Sequence, residues 1–152
     1  MTLTLKRNLR KRGKKSMKIL VDTNIILDVL LKREPHNKAA QIIMTKCAER
    51  KITGYLAAHS IPNIFYVLRK DYSQEERRRF IRNLCEIFRI SDLNTEKIIS
   101  AIDNEQFLDF EDCLQEECAV AETVDYIVTR NLADFKRSRV KVIGPDEFVK
   151  LL

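Results

Sequence analysis

The sequence predicts an α/β fold, a parallel sheet of four or five strands with helices on both faces. Short apolar runs of strand length alternate with helical segments along the chain, the pattern of a parallel sheet covered on both sides. The run Ile19-Leu20-Val21 is broken at once by Asp22, which puts an acid at the carboxyl edge, where open α/β sheets hold ligands. The composition agrees, with 45% hydrophobic and 33% charged residues and only three glycines and three prolines in 152 positions. Such a chain is long enough to bury a sizeable core and needs neither disulfide nor metal to fold.

Lys18–Val21 is the first strand. Asn24–Arg33 follows as a helix apolar nearly all round (Ile25, Ile26, Leu27, Val29, Leu30, Leu31), which predicts a central, buried position, and Pro35 closes it. His36–Lys51 reads as an amphipathic helix and Gly54–Ala57 as a short strand. Ser60 is placed to cap the next helix, whose early turn accommodates Pro62. Ser73 and Glu76 form a capping box for a helix running to Phe88, with Phe80, Ile81, Leu84, Ile87 and Phe88 as its core stripe. Arg89–Asp92 is a weaker strand. Asn94 or Thr95 opens a helix to about Asn104, and Asp112 heads another to about Thr123. "VDYIVT" (Val124–Thr129) and Val140–Ile143 complete the strands, and Asp146–Leu152 is a closing helix behind Pro145. No repeat or linker divides residues 17–152, which are expected to form a single domain.

The formal charge of +6 is unevenly placed. Residues 1–16 hold seven of the 28 Lys/Arg and none of the 22 acids, so the remainder carries 21 basic against 22 acidic side chains. The segment suits an electrostatic arm for RNA, a targeting segment, or residues ahead of the natural start. The last fits best, because "MKILVDTN" from Met17 reads as a complete amino terminus. Residues 1–16 are expected to be a disordered basic extension. A secretory signal is disfavoured by the brevity of the apolar run, and no run approaches membrane-spanning length. Cys47, Cys85, Cys113 and Cys118 lack the close spacing of zinc or redox motifs, which predicts buried, reduced thiols; His36 and His59 are unpaired, which argues against a histidine-based metal site. The cytoplasm is the expected compartment.

Acids from distant segments fall at functionally placed positions. Asp22 ends the first strand, Asn131 and Asp134 in "TRNLADF" follow the strand "VDYIVT", and Asp112 in "DFEDCLQEE" stands at a helix start. Each has an ordinary explanation: Asp22, Thr23 or Asn24 can cap the following helix, and Asp112 its own. If they converge, they repel one another and call for a cation. Magnesium or manganese suits such oxygen donors, and can activate water for attack on a phosphodiester.

From Met17 to Leu152 the chain resembles the PIN-domain ribonucleases, which include VapC-type toxins, through "ILVDTNIILDVLL", "DFEDCLQ" and "DYIVTRNLADF" in that order. The resemblance implies a PIN-like three-layer α/β/α fold and a magnesium- or manganese-dependent endoribonuclease, with RNA as substrate, an antitoxin protein as partner and a homodimer as assembly. Asp22 matches the family's first acid and Asp112 the acid heading the later helix; these two are the expected metal ligands. Asn131 falls where many members carry an acid after "TR", with Asp134 close enough to substitute or assist, and Asn24 and Thr129 are supporting polar neighbours. In "AHSIPNIFYVLRK" the resemblance leads to a glutamate, and this chain has Asn63, an amide that can bind a cation's water but adds no charge. Glu111 and Glu116 are possible helpers, Glu116 lying one helical turn after Asp112. Candidate RNA contacts are Arg130, Lys136, Arg137 and Arg139, together with Arg69, Lys70, Arg77, Arg78, Arg79 and Arg82, a run that a solvated helix face screened by Glu75 and Glu76 explains equally.

Three functions follow. The first is a single-strand-selective ribonuclease, the toxin of a toxin–antitoxin pair. The second is a PIN-like RNA-binding or protein-interaction domain whose site has lost chemistry, suggested by Asn63 and Asn131. The third is a haloacid-dehalogenase-like phosphatase with Asp22 as nucleophile, disfavoured because Asn24 stands where its second acid belongs.

Overall fold

In the computed structural model, which describes residues 16–152, five strands form one wholly parallel sheet. They are β1 (Lys18–Val21), β2 (Thr53–Ala57), β3 (Arg89–Ser91), β4 (Tyr126–Val128) and β5 (Val142–Ile143), in the order β3-β2-β1-β4-β5. The helices are α1 (Thr23–Leu30), α2 (Asn37–Ala48), α3 (Ser60–Val67), α4 (Gln74–Ile87), α5 (Thr95–Asp103), α6 (Phe110–Ala121) and α7 (Pro145–Val149), with short 3-10 turns at Leu68–Lys70 and Leu132–Phe135 that the sequence did not announce. The expected basic extension lies outside the described residues, Ser16 excepted.

Strand periodicity of two sorts the core into two layers. Ile19, Val21, Leu56 and Val128 pack on one side of the sheet with Ile25, Ile26 and Leu27 of α1, Ile43 of α2, Ile64 of α3, Leu84 of α4 and Phe148 of α7. Leu20, Tyr55, Ala57 and Ile127 face the other side, against Cys118 and Ala119 of α6. The strand-flanking helix α1 is buried as its all-round apolar sequence predicts, with Ile25, Ile26 and Leu27 at most 3% exposed.

Element ends are set by backbone and capping geometry. Lys32 and Arg50 adopt left-handed φ values of 52° and 62°, so α1 stops at Leu30 and α2 at Ala48, short of the expected Arg33 and Lys51. The Ser73–Glu76 capping box forms, with Ser73 Oγ accepting from the Glu76 amide at 3.1 Å. Ser60 does not cap α3; it is the first helical residue, and its Oγ accepts the Thr23 hydroxyl at 2.8 Å. Asp109 rather than Asp112 caps α6, its Oδ1 accepting from the Asp112 amide at 3.0 Å. The expected 124–129 strand pairs only at 126–128, and the expected 140–143 strand only at 142–143. Of the four thiols, Cys47, Cys113 and Cys118 are buried and free as expected, whereas Cys85 is exposed on α4.

The order of strands matters most for function. β1 pairs with β2 on one side and with β4 on the other, so the chain leaves β1 in one direction and returns across it. The crevice beyond the carboxyl ends of β1 and β4 is the topological switch point, the favoured ligand position in such sheets. Asp22 follows β1 there and Thr129 follows β4.

Candidate active site

Asp22 is 4% exposed and stands at the first position before α1, yet it forms no side-chain capping bond to that helix. Its amide donates to the Val128 carbonyl at 3.0 Å, continuing the β1–β4 ladder by one step. Its carboxylate is held from two other elements: Thr129 Oγ1 donates to Oδ2 at 2.7 Å, and Gln115 Nε2 of α6 donates to Oδ1 at 2.8 Å. Thr129 Oγ1 in turn accepts from the Asn131 amide at 3.0 Å, which ties the "TRN" turn to the same acid. Burial raises the Asp22 pKa, while the Thr129 hydroxyl, the adjacent Thr23 amide, Gln115 and the Arg130 charge pull it back.

Asp112, on the first turn of α6, is half-buried, and its carboxyl is pushed up to about 7 by burial and by the negative fields of Asp109, Asp22, Asp134 and Glu111. Glu111 is raised too, by burial and by Asp22 and Asp109. The expected acids from three chain segments therefore share one electrostatic neighbourhood. Among the described residues, however, no three His, Cys, Asp or Glu side chains form a compact ion-holding group as they stand. The donors present are oxygens, and their charges raise one another's pKa, so the chemistry of the set fits a hard divalent cation.

Of the other expected residues, some are exposed and some are committed to ion pairs. Asn63 is exposed on the first turn of α3, and Asn131 and Asp134 are exposed beyond β4, while Asn24 is half-buried in α1. Glu116 does not serve as the reserve acid: it is 0% exposed, and Arg139 grips it with its side chain (Nε to Oε1, 2.7 Å) and its backbone amide (3.1 Å). Both Arg139 and Arg130 were expected at RNA. Arg139 is tied to Glu116 and Glu117, and Arg130 makes a two-point bond to fully buried Asp28, Nε to Oδ2 at 2.8 Å and Nη2 to Oδ1 at 3.0 Å. A buried carboxylate left alone is costly, so each arginine is held in place by the acid it neutralises. Lys136 and Arg137 remain exposed.

Two site residues escaped the sequence reading. Gln115 is 0% exposed, and its spacing of three from Asp112 in "DCLQ" places it on the same helix face, as does the spacing of four that singles out Glu116. His59, between β2 and α3, has both ring nitrogens buried without a hydrogen-bond partner, its Nε2 is 3.9 Å from Glu111 Oε1, and burial lowers its pKa. Position at a strand's carboxyl end was its one available signal.

A family model described as "PIN domain" matches residues 18–133. Among solved structures, the chain resembles one in VapBC2 from Rickettsia felis bound to a DNA fragment from their promoter (TM-score 0.64, 17% identity, 84% of this chain and 98% of that one). It also resembles PAE2754 from Pyrobaculum aerophilum (TM-score 0.61, 12% identity, 89% and 88%). A third likeness is VapC20 from Mycobacterium tuberculosis, described as a Sarcin-Ricin loop cleaving toxin (TM-score 0.56, 10% identity, 72% and 86%). No curated protein matches the sequence.

Proposed function

The chain belongs to the PIN-domain family, and from that premise we propose that it is a divalent-cation-dependent endoribonuclease, the VapC-like toxin of a toxin–antitoxin pair. One observation carries the reading: the buried Asp22 carboxylate accepts from Thr129, just after β4, and from Gln115 of α6. Bonds from two segments distant in the chain orient this acid at the switch point, within electrostatic reach of Asp112.

Asp22 and Asp112 would hold magnesium or manganese, with Asp134 and Glu111 adding negative potential. The bound cation supplies charge for the phosphate oxygens and acidifies a water. Thr129 and Gln115 keep Asp22 in one orientation, and the Arg130–Asp28 pair fixes the turn that carries Thr129. The likeness to toxin–antitoxin structures supports an antitoxin protein as partner and a dimer as assembly. Residues 17–152 would be the catalytic domain, with residues 1–16 an extension outside it.

RNA should be cut in magnesium or manganese by the native protein. Asp22→Asn and Asp112→Asn should each lower the rate by at least about a hundredfold while circular dichroism and melting show a folded chain. A second reading, an RNA- or protein-binding domain without chemistry, is favoured by the amides at Asn63 and Asn131. Intact RNA after incubation at high protein and manganese, with RNA still bound, would select it over the nuclease.

A further inference from the structure

Resting on the ribonuclease reading, we infer that Tyr66 and Arg69 form a platform on which a base of single-stranded RNA stacks, beside the site at Asp22. Helix α3 begins at the site, since Ser60 accepts the hydroxyl of Thr23, the neighbour of Asp22. Tyr66 lies six residues further, roughly 9 Å of helix rise. Asn63 and Tyr66 are three apart and both exposed, so they share the outer face leading away from the acids.

Tyr66 is 60% exposed, and it is ordered by the cation beside it. The Arg69 guanidinium lies 3.7 Å from the ring centroid and donates from Nη1 to the Tyr66 carbonyl at 2.9 Å. Next to it, Arg77 sits 4.3 Å over the Phe65 ring and donates to the Phe65 carbonyl at 3.0 Å; its Nε is buried with no hydrogen-bond partner. Stacking sets these two arginines apart. Arg33, Arg130 and Arg139 are paired with carboxylates and Arg50 with a backbone carbonyl, whereas Arg69 and Arg77 are bonded to carbonyls and also lie over aromatic rings.

Residues 69–82 carry six basic and three acidic side chains in a chain whose charge from Met17 onward is about −1. The segment that follows Tyr66 is thus net positive, in contrast with the acids gathered around Asp112. Its complement is a polyanion that offers a flat apolar face. Single-stranded RNA has both, because its bases are free to leave the stack, whereas a duplex hides them.

The test measures binding of a fluorescent unstructured oligoribonucleotide to the full chain in calcium, at near-physiological salt. Tyr66→Ala and Arg69→Ala should each weaken binding about tenfold, and Tyr66→Phe should stay within about twofold of native. Arg69→Ala should also flatten the dependence on salt by about one unit of slope, which Tyr66→Ala should not. Duplex RNA of equal length should be insensitive to Tyr66→Ala. Unchanged oligoribonucleotide binding by Tyr66→Ala, or no RNA binding by the native chain, overturns the platform; so does a Tyr66→Ala protein that loses only a protein partner. The underlying reading fails separately: a native chain that binds RNA through Tyr66 but never cuts it keeps the platform and loses the nuclease.

Discussion

Thr129 shows how one hydroxyl can serve both structure and site. Fully buried, it donates to Asp22 and accepts from the Asn131 amide. Thr129→Val keeps the shape and removes both bonds, leaving a buried carboxylate oxygen and an amide without partners. A loss of about 1–3 kcal/mol is expected, read from urea denaturation. Gln115 differs, because its Nε2 is bonded while its Oε1 is buried without a partner. It supports Asp22 with one end and carries an unmet acceptor at the other.

At the scale of elements, β2 depends on a close approach. A Cβ added to Gly54 would stand 2.6 Å from Cys47 Sγ and 2.7 Å from Phe88 Cδ1, below any normal contact, with a helix pressing from α2 and an aromatic ring from the end of α4. Gly54→Ala should therefore cost about 1–3 kcal/mol by overpacking, seen as a lower melting temperature with native secondary structure. Cys47 is sealed in the same layer, and burial raises its thiol to about 12, so it should be inert to thiol reagents while exposed Cys85 reacts. The capping of α6 by Asp109 has a functional consequence. Because Asp109 serves the helix amide, the Asp112 carboxylate is left available to the site.

For the whole molecule, the acidic edge opposes stability unless its charge is met. Asp112 has a pKa near 3.8 as a free group and about 7 in the fold, so between those values the folded state holds its proton more tightly than the unfolded state. The stability that Asp112 contributes then falls as pH rises from about 4 to about 7 and levels off above, while buried His59, whose pKa is lowered, contributes in the opposite sense. In metal-free buffer the melting temperature should decline over that window, less steeply in Asp112→Asn. Manganese above pH 7 should raise it more for the native chain than for the variant. Among the described residues, no helix is long and apolar enough to cross a membrane.

The sequence by itself determined the parallel α/β class, the burial of α1, the Ser73–Glu76 cap and the placing of Asp22 at a strand's carboxyl end, because periodicity, capping and turn chemistry act over a few residues. Tertiary structure alone decided which polar neighbours meet. Gln115 reaches Asp22 from 93 positions away, Glu116 turns to Arg139, and Arg130 turns to Asp28. Positions three and four after Asp112 both fall on its face of the helix. Only the packing of α6 on the sheet, and the high cost of an unpaired buried charge, assign one to the site and the other to an ion pair.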